Sequence, residues 1–349
     1  MRLLFKRSVE YLSKENTNLL KGVFALIVVS AHCRNEMISL NNTYLGMILT
    51  ASGYLAVAMF YFFSGYGLEK QYQINKKRYI DSFFLNRIVA FYILYILILS
   101  IYLSIYLSIY LSIYLSIDKI FINVIFSKKL LLKSLLFGDT IFPYGWYLQS
   151  ILVIYILYYL IYKYFPKKRV VYIGIALIIY SFISFWITDG FLYFQSVFAF
   201  ESGILWAIYK EKIDRSLKRE KYYFLFLILA FFIFSLTLLI GNLNLSNVVL
   251  INIISKTMSS VFFVVLVLLI VMKIELKNKL TSYLGKIFFE IYIIQWVGIR
   301  LWHSQKLYIK NDLIYLCVSV LTTIVLAIII HPMINFINKK IKELLNLYF

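Results

Sequence analysis

Charge, histidine and cysteine are all scarce in this chain. Of its 349 residues 15% are charged, only 16 are acidic, three are histidine and two are cysteine. A soluble domain carries roughly 25% charged residues. Here 62% of residues are hydrophobic and the mean hydropathy is +0.83, which excludes an ordinary soluble globule. Cys33 and Cys317 lie in or beside different apolar runs, so neither a disulfide framework nor metal-ligand spacing is implied. No Gly-rich phosphate loop, zinc spacing or Ser-His-Asp order is present, and no metal site is expected. Length alone would permit two or three soluble domains. No stretch between the apolar runs is long enough for one, so residues 1–349 are expected to form a single membrane domain.

What is present is a series of apolar runs. A helix needs about 20 apolar residues to cross roughly 30 Å of hydrocarbon. Ten segments are read as spans: 18–33, 45–68, 88–117, 141–162, 170–188, 190–209, 222–241, 248–272, 282–302 and 313–335. The expected fold is all-α, a polytopic transmembrane helical bundle. The fifth and sixth spans meet at a two-residue turn, Asp189–Gly190. The formal net charge of +20 suggests a nucleic-acid binder at first sight, but its cations sit in short loops between spans and not on one solvated face. With the N-terminus inside, the inner segments hold 25 Lys and Arg and the outer loops 7, with Lys21, Lys256, Lys286 and Arg300 inside spans. That asymmetry predicts an N-in, C-in protein. The basic start and short first run fit a signal peptide loosely, but His32 is not the small residue a lipoprotein reading of Cys33 would want. A retained first span is expected.

Two stretches stand out by pattern. "KKLLLKSLLFG", within the outer segment 118–140, suits a helix lying in the interface. "SIYLSIYLSIYLSIYLSI", residues 100–117, repeats every four residues. Four residues advance a helix by about 400°, so the serines drift and build no polar face. Expansion of a twelve-nucleotide repeat explains it.

Ionisable groups inside spans are costly and mark function by default. Lys21 and His32 are eleven residues apart in "KGVFALIVVSAHC". That is about 16 Å, or three turns, so they lie on similar sides of the helix, Lys21 inward and His32 outward. An imidazole can take a proton from a hydroxyl near neutral pH, and a buried ammonium can hold a phosphate or a developing oxyanion. The plain alternative is that Lys21 snorkels and His32 faces interfacial water. Lys286 and Glu290, four apart, can pair on one helix face. Glu201 and Lys256 have no local partner and either pair across helices or line a polar cavity. "FFSGYG", residues 62–67, puts small residues where backbones can approach. Trp146 in "GWYLQS" reads as an interfacial anchor. His303 and His331, with no carboxylate nearby in the sequence, read as structural.

In order, these pieces resemble the acyltransferase family 3 integral-membrane proteins over nearly the full length. The family's basic residue, apolar run and His match "LKGVFALIVVSAH", and its aromatic Ser-Gly motif matches "VAMFYFFSGYGL". The basic stretch that follows is "RYIDSFFLNRIVAFY". Further on, "GWYLQSILVIYI", "ESGILWAIYK" and "LGKIFFEIYIIQW" match the Trp-aromatic-Leu, Gly-bearing and late motifs. Three positions depart: Lys21 where many members have Arg, Phe84 where the first of two paired arginines would stand, and Gln295 where the family has His. The resemblance implies acetyl-CoA as cytoplasmic donor, with no permanently bound cofactor. It further implies a surface polysaccharide of capsule or O-antigen type, or its lipid-linked precursor, as acceptor, and a multi-pass protein of the bacterial cytoplasmic membrane. Carried over, His32 would be general base or transient acyl carrier, and Lys21 and Arg87 would attract the coenzyme's phosphates. Ser64, Trp146, Glu201, Glu290, Tyr292 and Gln295 would line the substrate path. Cys33 lacks a cation or helix N-terminus to activate it. Open alternatives are a transporter or flippase of lipid-linked saccharide, an acyltransferase acting on peptidoglycan, lipid or a small molecule, and a non-catalytic member. A carrier predicts internal repeats, and none is convincing between the halves.

Overall fold

The computed structural model describes residues 10–37, 39–40, 43–114, 143–188, 195–242, 249–274, 278–304 and 307–347. Helices dominate them, and no strand occurs among the described residues. Ser13 opens α1 (Lys14–Cys33), its hydroxyl accepting from Asn16 N at 3.2 Å while Glu15 faces the positive end of the helix dipole. A 3₁₀ turn, Arg34–Glu36, closes it. Thr43 caps α2 (Tyr44–Phe83) in the same way, accepting from Gly46 N. At Asn75 α2 leaves helical geometry (φ −141°, ψ 55°). Tyr158 donates to the carbonyl of Leu68 and also lies 5.1 Å from the ring of Phe83, so the chain doubles back between those residues. A π-helical turn, Phe84–Val89, then leads into α3 (Ala90–Tyr114).

The remaining helices are α4 (Trp146–Tyr164), α5 (Arg169–Thr188), α6 (Phe198–Ser216), α7 (Glu220–Asn242) and α8 (Val249–Val271). They are followed by α9 (Lys279–Lys286), α10 (Phe288–Leu301) and α11 (Asp312–Leu347). Within the described residues the ten expected segments fall largely on helix, with three differences. The ninth is broken at Ile287 (φ −107°, ψ 17°) into α9 and α10. Helix α6 starts at Phe198 and not at 190. Helix α11 is 36 residues long, about 54 Å, so it outruns roughly 30 Å of hydrocarbon. The interfacial segment 118–140, the turn Asp189–Gly190 and repeat residues 115–117 lie outside the described residues.

Among the described residues six helical stretches are long and apolar enough to cross a membrane: Tyr44–Ser104, Trp146–Tyr164, Pro166–Phe185, Glu220–Gly241, Leu250–Val271 and Asp312–Leu345. The protein is therefore a multi-pass membrane protein. The outward faces of α5, α7 and α11 are correspondingly apolar, with Phe182, Phe226, Phe231, Phe232 and Ile329 all exposed. Helix α1 lies centrally, packed on α2, α9, α10 and α11, while α2 packs on α6 and α8. Glycines allow two of these crossings. A Cβ on Gly22 would overlap the Thr281 carbonyl of α9, and one on Gly285 would overlap the Asn18 carbonyl of α1. A Cβ on Gly65 would overlap Phe200 O of α6, and one on Gly203 would overlap Phe62 O of α2. Backbones in contact maximise dispersion between helices that gain nothing from hydrophobic burial in lipid. Near the same end of the bundle as Lys21, the fully buried Glu69 is held by Arg169 at 2.8 Å and by the Tyr162 hydroxyl at 2.6 Å.

Candidate active site

The crossing of α1 with α9 and α10 puts His32 against the middle of α10. His32 Nδ1 lies 2.9 Å from Gln295 Oε1. Gln295 is fully buried and its Nε2 donates to the carbonyl of Tyr292 at 3.0 Å. A backbone carbonyl only accepts, so the amide nitrogen must face it, and the amide oxygen must face His32. His32 therefore carries its proton on Nδ1, which leaves Nε2 as the basic nitrogen.

The imidazole is clamped from a second direction. The Tyr144 ring stacks on it at 3.7 Å and 5°. Tyr144 itself adopts φ 64°, the left-handed region, and the Tyr292 hydroxyl donates to its carbonyl. Such a backbone costs a non-glycine residue about 1–3 kcal/mol and persists where its surroundings over-determine it. Here the stacked ring and the Tyr292 hydrogen bond hold Tyr144 in place. Two of the expected path residues, Tyr292 and Gln295, thus meet at His32. Trp146, half-buried at the start of α4, packs edge-on to Tyr147 at 6.3 Å.

Lys21, at the other end of α1, sits over two rings, 5.3 Å from the centroid of Phe288 and 5.8 Å from that of Phe63. A cation desolvated against aromatic faces is held without a counter-ion. Arg87 is close enough for its charge to act on Lys21. Between Lys21 and His32 runs a column of aromatic rings: Phe288 to Phe60 at 5.4 Å, Phe60 to Tyr147 at 6.2 Å, and Tyr147 to Tyr292 at 5.5 Å. Ser64 lies beside this region and shares a 2.8 Å hydrogen bond with Tyr155 of α4. Arg87 stands in the π-helical turn at the mouth of a cavity of about 660 Å³. Cys33 is buried and Cys317 is exposed. Among the described residues no cluster of three or more His, Cys, Asp or Glu side chains is placed to hold a metal.

The structure corrects one expectation. Glu290 does not pair with Lys286, because the helix breaks between them; its carboxylate meets His331 Nδ1 at 2.7 Å. His331 accordingly has a carboxylate partner, and its Nε2 lies 2.9 Å from Asn335 Nδ2. His303 Nε2 lies 3.6 Å from Glu36 Oε2, which also binds Arg300 at 3.2 Å. Neither histidine has a carboxylate nearby in the sequence because both carboxylates come from distant segments of the chain. Glu201 is not drawn into the His32 group by any described contact; its Oε1 lies 2.7 Å from where a Cβ on Gly174 would stand, against α5. Tyr144 was missed altogether, although "PYGW" marks a turn just before a helix.

A model of acyltransferase family 3, described as an acyltransferase domain, matches residues 15–331. The chain belongs to that family. None of the curated proteins and none of the solved structures matches it. Every residue of the His32 and Lys21 groups lies inside the acyltransferase match, as do both glycine crossings. Residues 335–347 of α11, including Asn335 beside His331, lie beyond it.

Proposed function

We propose that this membrane acyltransferase moves an acetyl group from cytoplasmic acetyl-CoA to a hydroxyl of a cell-surface polysaccharide or its lipid-linked precursor. The observation that carries the reading is the Gln295–His32 contact with the amide orientation fixed by Tyr292. It leaves His32 Nε2 basic and aimed by a buried partner, as a general base requires. The accompanying topology is ten spans with both termini inside, supported by the basic inner loops. Lys21 and Arg87 then belong to the donor side and His32 to the acceptor side.

In this mechanism the acceptor hydroxyl gives its proton to His32 Nε2 as its oxygen attacks the thioester carbonyl. The carbon–sulfur bond breaks, the thiolate leaves, and the proton passes from the imidazolium to the thiolate sulfur. Tyr144 holds the ring plane, Gln295 holds the tautomer, and the aromatic column excludes water from the route between the two ends. Excluding water limits hydrolysis of the thioester.

The test is genetic and spectroscopic. Deletion of the gene should abolish the O-acetyl signal of the surface polysaccharide in NMR, and His32→Ala should reproduce the loss with normal membrane insertion, a fall of about 10²–10⁴-fold in rate. Acetylated polymer from a properly inserted His32→Ala protein removes the mechanism. Unchanged O-acetyl content after deletion removes the polysaccharide as acceptor.

A further inference from the structure

Towards its C-terminal end α11 carries a polar face. Asn335, Asn338, Lys339 and Lys342 fall at intervals of three, four and seven, and so share one face of it. That face forms one wall of the 660 Å³ cavity, and Asn86 and Arg87 of the π-helical turn form the opposite wall. A contiguous space of about 400 Å³ is shared by Asn86, Arg87 and Lys342. The volume is that of a small-molecule site. The lining holds three cations and one carboxylate, Glu343, which lies 2.7 Å from Lys340. Tyr155 sits in the same lining and hydrogen-bonds Ser64, the residue after Phe63, whose ring lies under Lys21.

We infer that Lys339 and Lys342, on a segment outside the family match, bind phosphate together with Arg87, and that Asn338 and Asn86 complete the donors to it. The inference rests on the acetyl-CoA reading above and assigns the nucleotide phosphates of the donor to this cavity. Phe84, where the resemblance implies the first of two paired arginines, is exposed on the same π-helical turn. The lysines of α11 supply positive charge to the cavity from the opposite wall. Ammonium groups act as point charges on a phosphate and need no fixed fork geometry, which suits side chains reaching inward from an exposed helix.

A phosphate on a membrane protein comes either from the donor or from an anionic lipid headgroup, and the experiment separates them. Full-length protein in nanodiscs is titrated with coenzyme A, in discs of zwitterionic lipid alone and in discs containing anionic lipid. Lys339→Gln/Lys342→Gln should weaken coenzyme A binding about tenfold. It should also raise the acetyl-CoA KM with kcat unchanged, and leave thermal stability as it was. Lys310→Gln, exposed just before α11 begins and absent from this lining, should change nothing, and Lys339→Arg/Lys342→Arg should restore binding. The gap should persist in purely zwitterionic discs. A gap seen only with anionic lipid assigns the lysines to headgroups and overturns the donor site. Equal binding by wild type and the Gln variant overturns this site alone, whereas wild type that binds no coenzyme A overturns the acetyl-CoA reading and this site with it.

Discussion

Gln295 stands where the family resemblance implies a histidine, and its chemistry there is specific. A glutamine presents one donor and one acceptor in a plane; Tyr292 O takes the donor, so His32 can only meet the acceptor. Gln295→Leu should keep the volume while leaving His32 Nδ1–H without its buried acceptor, a loss that also frees the ring to flip. Transfer should fall about 10²-fold, in the range of a positioned general base that is lost, with expression and insertion intact; Gln295→His, which can accept through a ring nitrogen, should retain more activity than the leucine variant. Equal rates for leucine and wild type, measured as acetyl release from acetyl-CoA in membranes, would show that the tautomer is not set here. At this scale the sequence was partly legible. His32 drew notice because histidine is so rare, and Gln295 because it departed from the family pattern. Tyr144 was hidden because a positive φ is a property of the folded backbone. Glu290 and Glu36 were hidden because their partners, His331 and His303, are 41 and 267 residues away.

Helices are the most readable level in a lipid-embedded chain, since backbone groups must be satisfied within each span. The described parts of the expected segments are largely helical, but the interruption at Ile287 and the fold-back at Asn75 were not legible. Neither falls on a Pro or Gly, although Gly285 precedes Ile287 by two residues. The glycines carried the clearer message. Gly65 of "FFSGYG" and Gly203 of "ESGILW", in separate motifs, meet at one crossing, and Gly22 and Gly285 meet at another. Those motifs therefore record helix contacts as well as chemistry. Gly203→Leu should force α6 off α2, because its Cβ would overlap Phe62 O, a backbone atom that cannot move alone. The cost of overpacking is typically about 1–3 kcal/mol and more where backbone blocks relaxation. The expected result is a lower unfolding temperature in detergent and aggregation on gel filtration, with Gly67→Leu as control because nothing lies within 4 Å of a Cβ there.

At the scale of the whole molecule, two chemically distinct ends are joined by one central helix. The Lys21 end gathers Arg87, Lys339 and Lys342 around an open cavity, and the His32 end gathers Tyr144, Tyr292 and Gln295. Such polarity is useful only if the ends face different compartments, which makes orientation the property on which the mechanism depends. The prediction is that the His32 end faces outward. In a background of Cys33→Ala and Cys317→Ala, Ser39→Cys should react with a membrane-impermeant maleimide on intact cells. Ser39 is exposed and its hydroxyl hydrogen-bonds Asp312 at the start of α11, which marks that end of both helices. Lys340→Cys, exposed at the far end of α11, should react only after permeabilisation. The reverse pattern would place His32 beside the cytoplasm, where donor and base would share one compartment and no group would need to cross about 16 Å of helix. An acceptor outside the cell would then be out of reach of the imidazole, and the acetylated product would have to be sought among cytoplasmic metabolites.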